Sequence, residues 1–142
     1  MAINRDYFKD QVEWDGTSAY PPEFQHMPDL AGFEAAPGLT LRPFWGQGLM
    51  ASYVTFDPGA VAPAHQHPQE QMSVVLSGSL YFTVGTESRW IEAGDIVSIP
   101  PHVPHAAQAG DEGALCIDMF SPPRDGFREL VEGATQTKAD AE

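Results

Sequence analysis

Gly59–Gly78 reads G-A-V-A-P-A-H-Q-H-P-Q-E-Q-M-S-V-V-L-S-G. In an extended chain, residues two apart face the same side, so His65 and His67 present both imidazoles to one point. If the alternation continues, Gln71 shares their parity and Glu70 turns away. A further ligand must come from elsewhere, and the stretch I-P-P-H-V-P-H, Ile99–His105, offers His102 and His105. A His-x-His pair plus a distant histidine suits Zn, Mn, Fe or Ni, which accept imidazole and oxygen ligands.

Around this stretch the chain reads as strands. L-T-L-R-P-F, L-M-A-S-Y-V-T-F, M-S-V-V-L-S, S-L-Y-F-T-V, D-I-V-S-I and A-L-C-I-D-M-F are short and rich in apolar, β-branched or aromatic residues. Between them stand D-P-G, S-G, V-G-T-E, A-G-D and G-D-E-G, all turn signals. The 13 glycines and 13 prolines fit many turns and short strands, and 42% hydrophobic residues suffice for one core. Such spacing predicts an all-β sandwich or barrel over residues 39–124. Residues 1–38 form an N-terminal arm. Its Trp14, Tyr20, Phe24 and Phe33 follow no clear period, and Pro21, Pro22 and Pro28 oppose a long helix. Scattered aromatics suggest packing on a body, in this subunit or a neighbour. Residues 125–142 hold a short helix, Asp125–Val131, and a frayed tail.

The run from Gly59 to Gly78 resembles the first cupin motif: Gly, five residues, His-x-His, three residues, an acid, six residues, Gly. The run G-D-I-V-S-I-P-P-H-V-P-H, Gly94–His105, resembles the second. The resemblance implies a double-stranded β-helix, the cupin jelly-roll barrel, with one divalent transition metal (Zn, Ni, Mn or Fe) on His65, His67, Gln71 and His105. Three departures stand out. Gln71 holds the place of the usual glutamate, His102 replaces a common Gly, and Ala109 replaces an Asn. The six-residue spacing to Gly78 favours Gln71 over Glu70. Three neutral imidazoles and an amide oxygen leave the ion's double charge uncompensated, which makes a stronger Lewis acid and a better holder of anions. A metal-free barrel merely filled by histidines is the competing account, and the presence of all three histidines weighs against it.

A second cluster lies on A-L-C-I-D-M-F, where Leu115, Ile117 and Met119 alternate with Cys116, Asp118 and Phe120. A carboxylate inside such a strand is costly unless it is partnered or faces a cavity. The stretch D-M-F-S-P-P-R-D-G-F, Asp118–Phe127, resembles the ending of cupins related to the pectin-degradation protein KdgF, as does the H-x-H-P-x-E-Q pattern. That resemblance implies conversion of 4,5-unsaturated monouronates into linear keto products. By position it makes Asp118 the acid/base, Phe120 a wall of the sugar site, and Arg124 the group that binds or orients substrate. For Arg124 the competing role is a surface ion pair with Asp125 or Glu129. Arg42 lies in a strand-like run and is a further candidate to face the cavity and bind substrate; Arg89, near a hairpin, is expected to be exposed.

Seven basic against 20 acidic residues give a net charge of −13, which repels phosphate backbones and anionic lipid. The expected partner is therefore a small anionic substrate, with no nucleic acid and no membrane. Cys116 is the one cysteine, so no intrachain disulfide forms and a reducing compartment is permitted. The first residues lack an apolar signal core, which makes cytoplasmic the default. Fold analogy and the aromatic arm suggest a homodimer. The leading expectation is a metal-dependent, non-redox enzyme of the isomerase kind. An Fe-dependent dioxygenase and a binding or sensing module are the alternatives.

Overall fold

Leu39–Trp45 and Met50–Phe56 bury every second side chain and leave the others half-buried, the period of two that a strand shows with one face on a core. The computed structural model describes residues 2–9 and 13–141, with side chains to residue 137; Met1, residues 10–12 of the expected arm and Glu142 of the expected tail lie outside the described residues. The strands are β1 (Phe33–Ala36), β2 (Leu39–Trp45), β3 (Met50–Phe56), β4 (Val61–His65), β5 (Glu70–Val84), β6 (Glu87–Glu92), β7 (Ile96–Ile99) and β8 (His105–Ser121). A 3-10 turn at Met27–Asp29 precedes them and a helix, α1 (Gly126–Ala141), follows.

All the strand pairs are antiparallel, and β5 and β8 organise them. The C-terminal half of β8 pairs with β3 and with the first half of β5, and β7 adds to that half of β5. The N-terminal half of β8 pairs with β4 and with the second half of β5, which β6 extends. The two long strands thus bend and serve both faces of one barrel. Inside it lie Leu39, Val54, Val75, Leu80, Ile99 and Cys116, all buried. This is the expected all-β double-stranded β-helix. Among the described residues no helix is long and apolar enough to cross a membrane.

The bends explain two departures from the expected strand breaks. S-G at residues 77–78 and G-D-E-G at residues 110–113 lie inside β5 and β8 rather than between strands. The register shifts there, between Val75 and Ser77 and between Gly78 and Leu80, so the glycines make bulges. Gly78 has φ 75°, and a Cβ on it would stand 2.0 Å from the Gly113 carbonyl oxygen. β6 gave no strand signal because its sequence, E-S-R-W-I-E, buries Ile91 alone.

The ends differ as well. Strand pairing starts at Phe33, inside the segment expected to be arm, because Phe33 is buried and meets the Phe127 ring edge-on at 5.2 Å. Tyr7, Phe8, Trp14, Tyr20 and Phe24 stay exposed, so among the arm aromatics Phe33 alone is buried against the barrel. The helix runs to Ala141, well past Val131. Phe127, Val131 and Ala134 form an i, i+4, i+7 stripe against the core, which carries the helix into the expected tail. Arg42 does not face the cavity. It lies on the face of β2 opposite Leu41, and its Nη1 donates to the Leu30 carbonyl at 2.7 Å, tying the arm to the barrel.

Candidate functional site

β4 ends at His65, and the chain bends through Pro68 and Gln69 before β5 begins at Glu70. The extended alternation assumed from sequence therefore stops early, yet its outcome for residues 70 and 71 stands: Gln71 is buried and Glu70 exposed. His65 pairs directly with His105, the first residue of β8. The imidazole centroids of that pair are 4.3 Å apart, and those of His67 and His105 are 4.9 Å apart. One nitrogen from each of His65, His67 and His105 lies within 4.8 Å of the others. An ion held at about 2.0–2.1 Å from each nitrogen closes that spacing with small side-chain shifts.

The hydrogen bonds around the rings fix their tautomers. Nδ1 of His65 faces the Pro63 carbonyl at 2.8 Å, that of His67 the Gln69 carbonyl at 3.0 Å, and that of His105 the Val103 carbonyl at 2.9 Å. Each Nδ1 must be the N–H donor, so each neutral ring keeps a lone pair on Nε2. Nε2 of His105 is buried without a hydrogen-bond partner. Nε2 of His67 meets Gln71 Oε1 at 3.0 Å. Two lone pairs then face each other, a contact that a cation between them relieves. A proton is disfavoured as that cation: burial, then the Arg124 charge, hold His67 below its ordinary range, and burial takes His105 down to about 4. These residues fit a transition metal.

Gln71 is oriented from behind. Its Nε2 donates to Ser73 Oγ at 3.0 Å, and Ser73 Oγ donates to Asp118 Oδ1 at 2.6 Å. Because the single hydroxyl proton goes to Asp118, Ser73 must accept from the amide nitrogen, which leaves Oε1 toward the histidines. Asp118 stands opposite Ser52 on β3 and Ser73 on β5. Burial raises its carboxyl to about 6, against the opposing pull of the Ser73 hydrogen bond and the Arg124 charge. Arg124 lies beyond β8, its guanidinium 5.4 Å from the Phe120 ring centroid and 4.4 Å from that of Phe127. Among the described residues it makes no ion pair with Asp125 or Glu129; Arg128 takes Asp125 instead. The buried Phe120 ring lies 5.6 Å from that of His67.

One cavity of about 460 Å³ reaches His65, Gln71, His105, Asp118, Phe120 and Arg124 together. Ser73 was missed from sequence, where nothing distinguishes it from any strand serine; its importance comes from standing opposite Asp118. His102 is outside the imidazole cluster. It is exposed with φ 64°, the left-handed region that explains why the motif usually has Gly there, and its N–H donates to the His67 carbonyl at 2.8 Å. Burial pushes the Cys116 thiol up, away from the thiolate a nucleophile needs.

Residues 52–120 match the cupin domain model, a span holding His65 through Phe120 and stopping short of Arg124. Over 84 residues the chain is 32% identical to the pectin degradation protein KdgF of Dickeya dadantii, covering 58% of this chain and 76% of that one. The chain belongs to the cupin family. The solved structure of KdgF from Halomonas sp. superposes on this cupin with a TM-score of 0.69 and 32% identity, over 75% of this chain and 98% of that one. These likenesses make it a KdgF-like cupin. It is also 32% identical over 105 residues to a Bacillus subtilis protein named H2HPP isomerase, covering 63% of this chain and 44% of that protein.

Proposed function

We propose that this cupin is a metal-dependent, non-redox enzyme that opens and tautomerises a small anionic sugar, with a 4,5-unsaturated monouronate as first candidate and a linear keto acid as product. The observation that carries the reading is Asp118, a half-buried carboxyl with a pKa raised to about 6, facing the same cavity as the His65 and His105 imidazoles and Arg124. His65, His67, His105 and Gln71 would hold the metal, whose chemistry when bound is Lewis-acid polarisation of substrate oxygens. Arg124 supplies a fixed positive fork for a carboxylate inside a chain of net charge −13, with its plane steadied by Phe120 and Phe127. Asp118 accepts Ser73 on Oδ1, which leaves Oδ2 to exchange a proton with substrate. A carboxyl near pH 6 both takes and returns a proton close to neutrality, as an enol-to-keto step requires. The names of the KdgF and isomerase relatives support the reaction class.

The test is to incubate metal-loaded protein with unsaturated galacturonate and mannuronate monomers. Loss of the ultraviolet absorbance and appearance of linear keto products by NMR are expected. Asp118→Asn should stop turnover while bound metal is unchanged; undiminished turnover in that variant removes Asp118 from the chemistry.

A further inference from the structure

Asp118 stands in a row of directly opposed residues that crosses the sheet: Pro43 on β2, Ser52 on β3, Asp118 on β8, Ser73 on β5 and Val97 on β7. The carboxyl is therefore flanked by a serine on each side, and the two serines differ. Ser73 donates to Asp118 Oδ1 at 2.6 Å and accepts the Gln71 amide at 3.0 Å. Ser52 is fully buried, and its Oγ has no hydrogen-bond partner. A buried hydroxyl left unpaired costs free energy, so its presence calls for a role. Its surroundings narrow the choice. Met50 and Val54 are the next inward residues along β3, Phe120 and Cys116 stand opposite those two on β8, and Pro43 lies across on β2. Among these neighbours only Asp118 carries a strong hydrogen-bonding side chain.

Directly opposed residues of an antiparallel pair have Cβ atoms about 4.5–5.5 Å apart, so a turn about χ1 brings the Ser52 hydroxyl to the carboxyl on the side away from Ser73. An acid/base carboxyl changes from acceptor to donor when Oδ2 takes up a proton, and the new O–H needs an acceptor in a buried setting. Ser73 has its proton on Oδ1 and a lone pair on the Gln71 amide, whereas both lone pairs of Ser52 are free. We propose that Ser52 is a positioning residue for Asp118: it accepts the O–H that forms when Oδ2 takes a proton from substrate, so that the carboxyl keeps one orientation until the proton is returned. This rests on the acid/base role given to Asp118 above. The proton stays on Oδ2 throughout and leaves from the same oxygen, so nothing is oxidised or reduced.

The experiment joins infrared spectroscopy to kinetics. Subtracting the spectrum of Asp118→Asn isolates the carboxyl band of Asp118, and the same subtraction is made in the Ser52→Ala background. At about pH 5 this carboxyl is mainly protonated while ordinary carboxyls are mainly ionised, and loss of the Ser52 hydroxyl should shift its band. With an unsaturated monouronate, Ser52→Ala should lower kcat about tenfold and leave KM and metal content within about twofold. Its Tm should not fall, because the hydroxyl removed has no partner in the structure. Ser52→Cys, which fills the same space with a weak hydrogen-bonding group, should behave like Ser52→Ala and so separates lost hydrogen bonding from lost volume. An unmoved band overturns the proposal, and so does full turnover in Ser52→Ala; a lower kcat with an unmoved band and a lower Tm shows Ser52 to be packing only. If the wild type leaves uronates unchanged, the earlier reading falls, and the band by itself decides whether Ser52 holds Asp118.

Discussion

Gln71 and Glu70 are adjacent and chemically close, yet the barrel separates them completely, with one side chain turned into the cavity and the other into water. Gln71→Ala should therefore lower the metal content of purified protein by tenfold or more in affinity, about 1.4 kcal/mol, while Glu70→Ala leaves it unchanged; the reverse pattern would falsify the ligand assignment. Asp118 yields a second prediction. Burial lifts its folded pKa to about 6, above the 3.8 of an ordinary aspartate, so between those values the folded state binds more protons than the unfolded one. Stability from this group is present at low pH and lost as pH rises through about 4 to 6. In chelator-treated protein, Asp118→Asn should raise unfolding stability by about 2–3 kcal/mol at about pH 8 and by little at about pH 3. Equal differences at the two pH values would show that burial does not control this carboxyl. At this scale the sequence made the histidines, Gln71, Asp118 and Phe120 legible, because motif spacing and strand parity place them. Ser73 was not legible, because its role depends on a cross-strand partner 45 residues away. Arg42 was misread because alternation shows that a strand has two faces without showing which is inside.

At the scale of elements, what sequence marked as turns became bends within longer strands. S-G and G-D-E-G carry the composition of a chain reversal, but a Cβ on Gly78 would meet the Gly113 carbonyl and one on Gly113 the Phe56 carbonyl, so neither position has room for a side chain. A Cβ on Gly78 would meet the Gly113 carbonyl and would also require an L residue at φ 75°. Gly78→Ala should cost at least ~3 kcal/mol or prevent folding, whereas Gly48→Ala, with open space around it, should change stability by less than ~0.5 kcal/mol. Denaturant melts of the two variants check this, and a mild Gly78→Ala would mean that the β5–β8 crossing relaxes easily. The same limit on local signals hid the last half of α1. Among the described residues past Val131, Ala134 alone packs on the core, and one alanine in a polar run carries little helical pattern. The helix is visible only once the barrel wall it packs on is known.

Across the whole molecule, the candidate centre sits where the two faces of the barrel come together. His65 ends β4, Gln71 is the second residue of β5 and His105 opens β8, and among the described residues β4 pairs with β8 alone. An ion shared by these residues links three strands and the bend between β4 and β5, so its binding free energy adds to the stability of the barrel as a whole. His105 stays neutral down to about 4, so near neutrality binding displaces no proton from it. Metal present at about 100 times its Kd should stabilise the protein by about 2.7 kcal/mol, or roughly 10 °C in Tm for a chain of this size. Thermal melts of chelator-treated protein with and without added Zn measure the increment. His105→Ala should lose most of it, because the ion then keeps one imidazole fewer and β8 is no longer tied to β4 and β5 through the metal. If His105→Ala keeps the full increment, the ion is held elsewhere on this acidic surface and the three imidazoles are not its site.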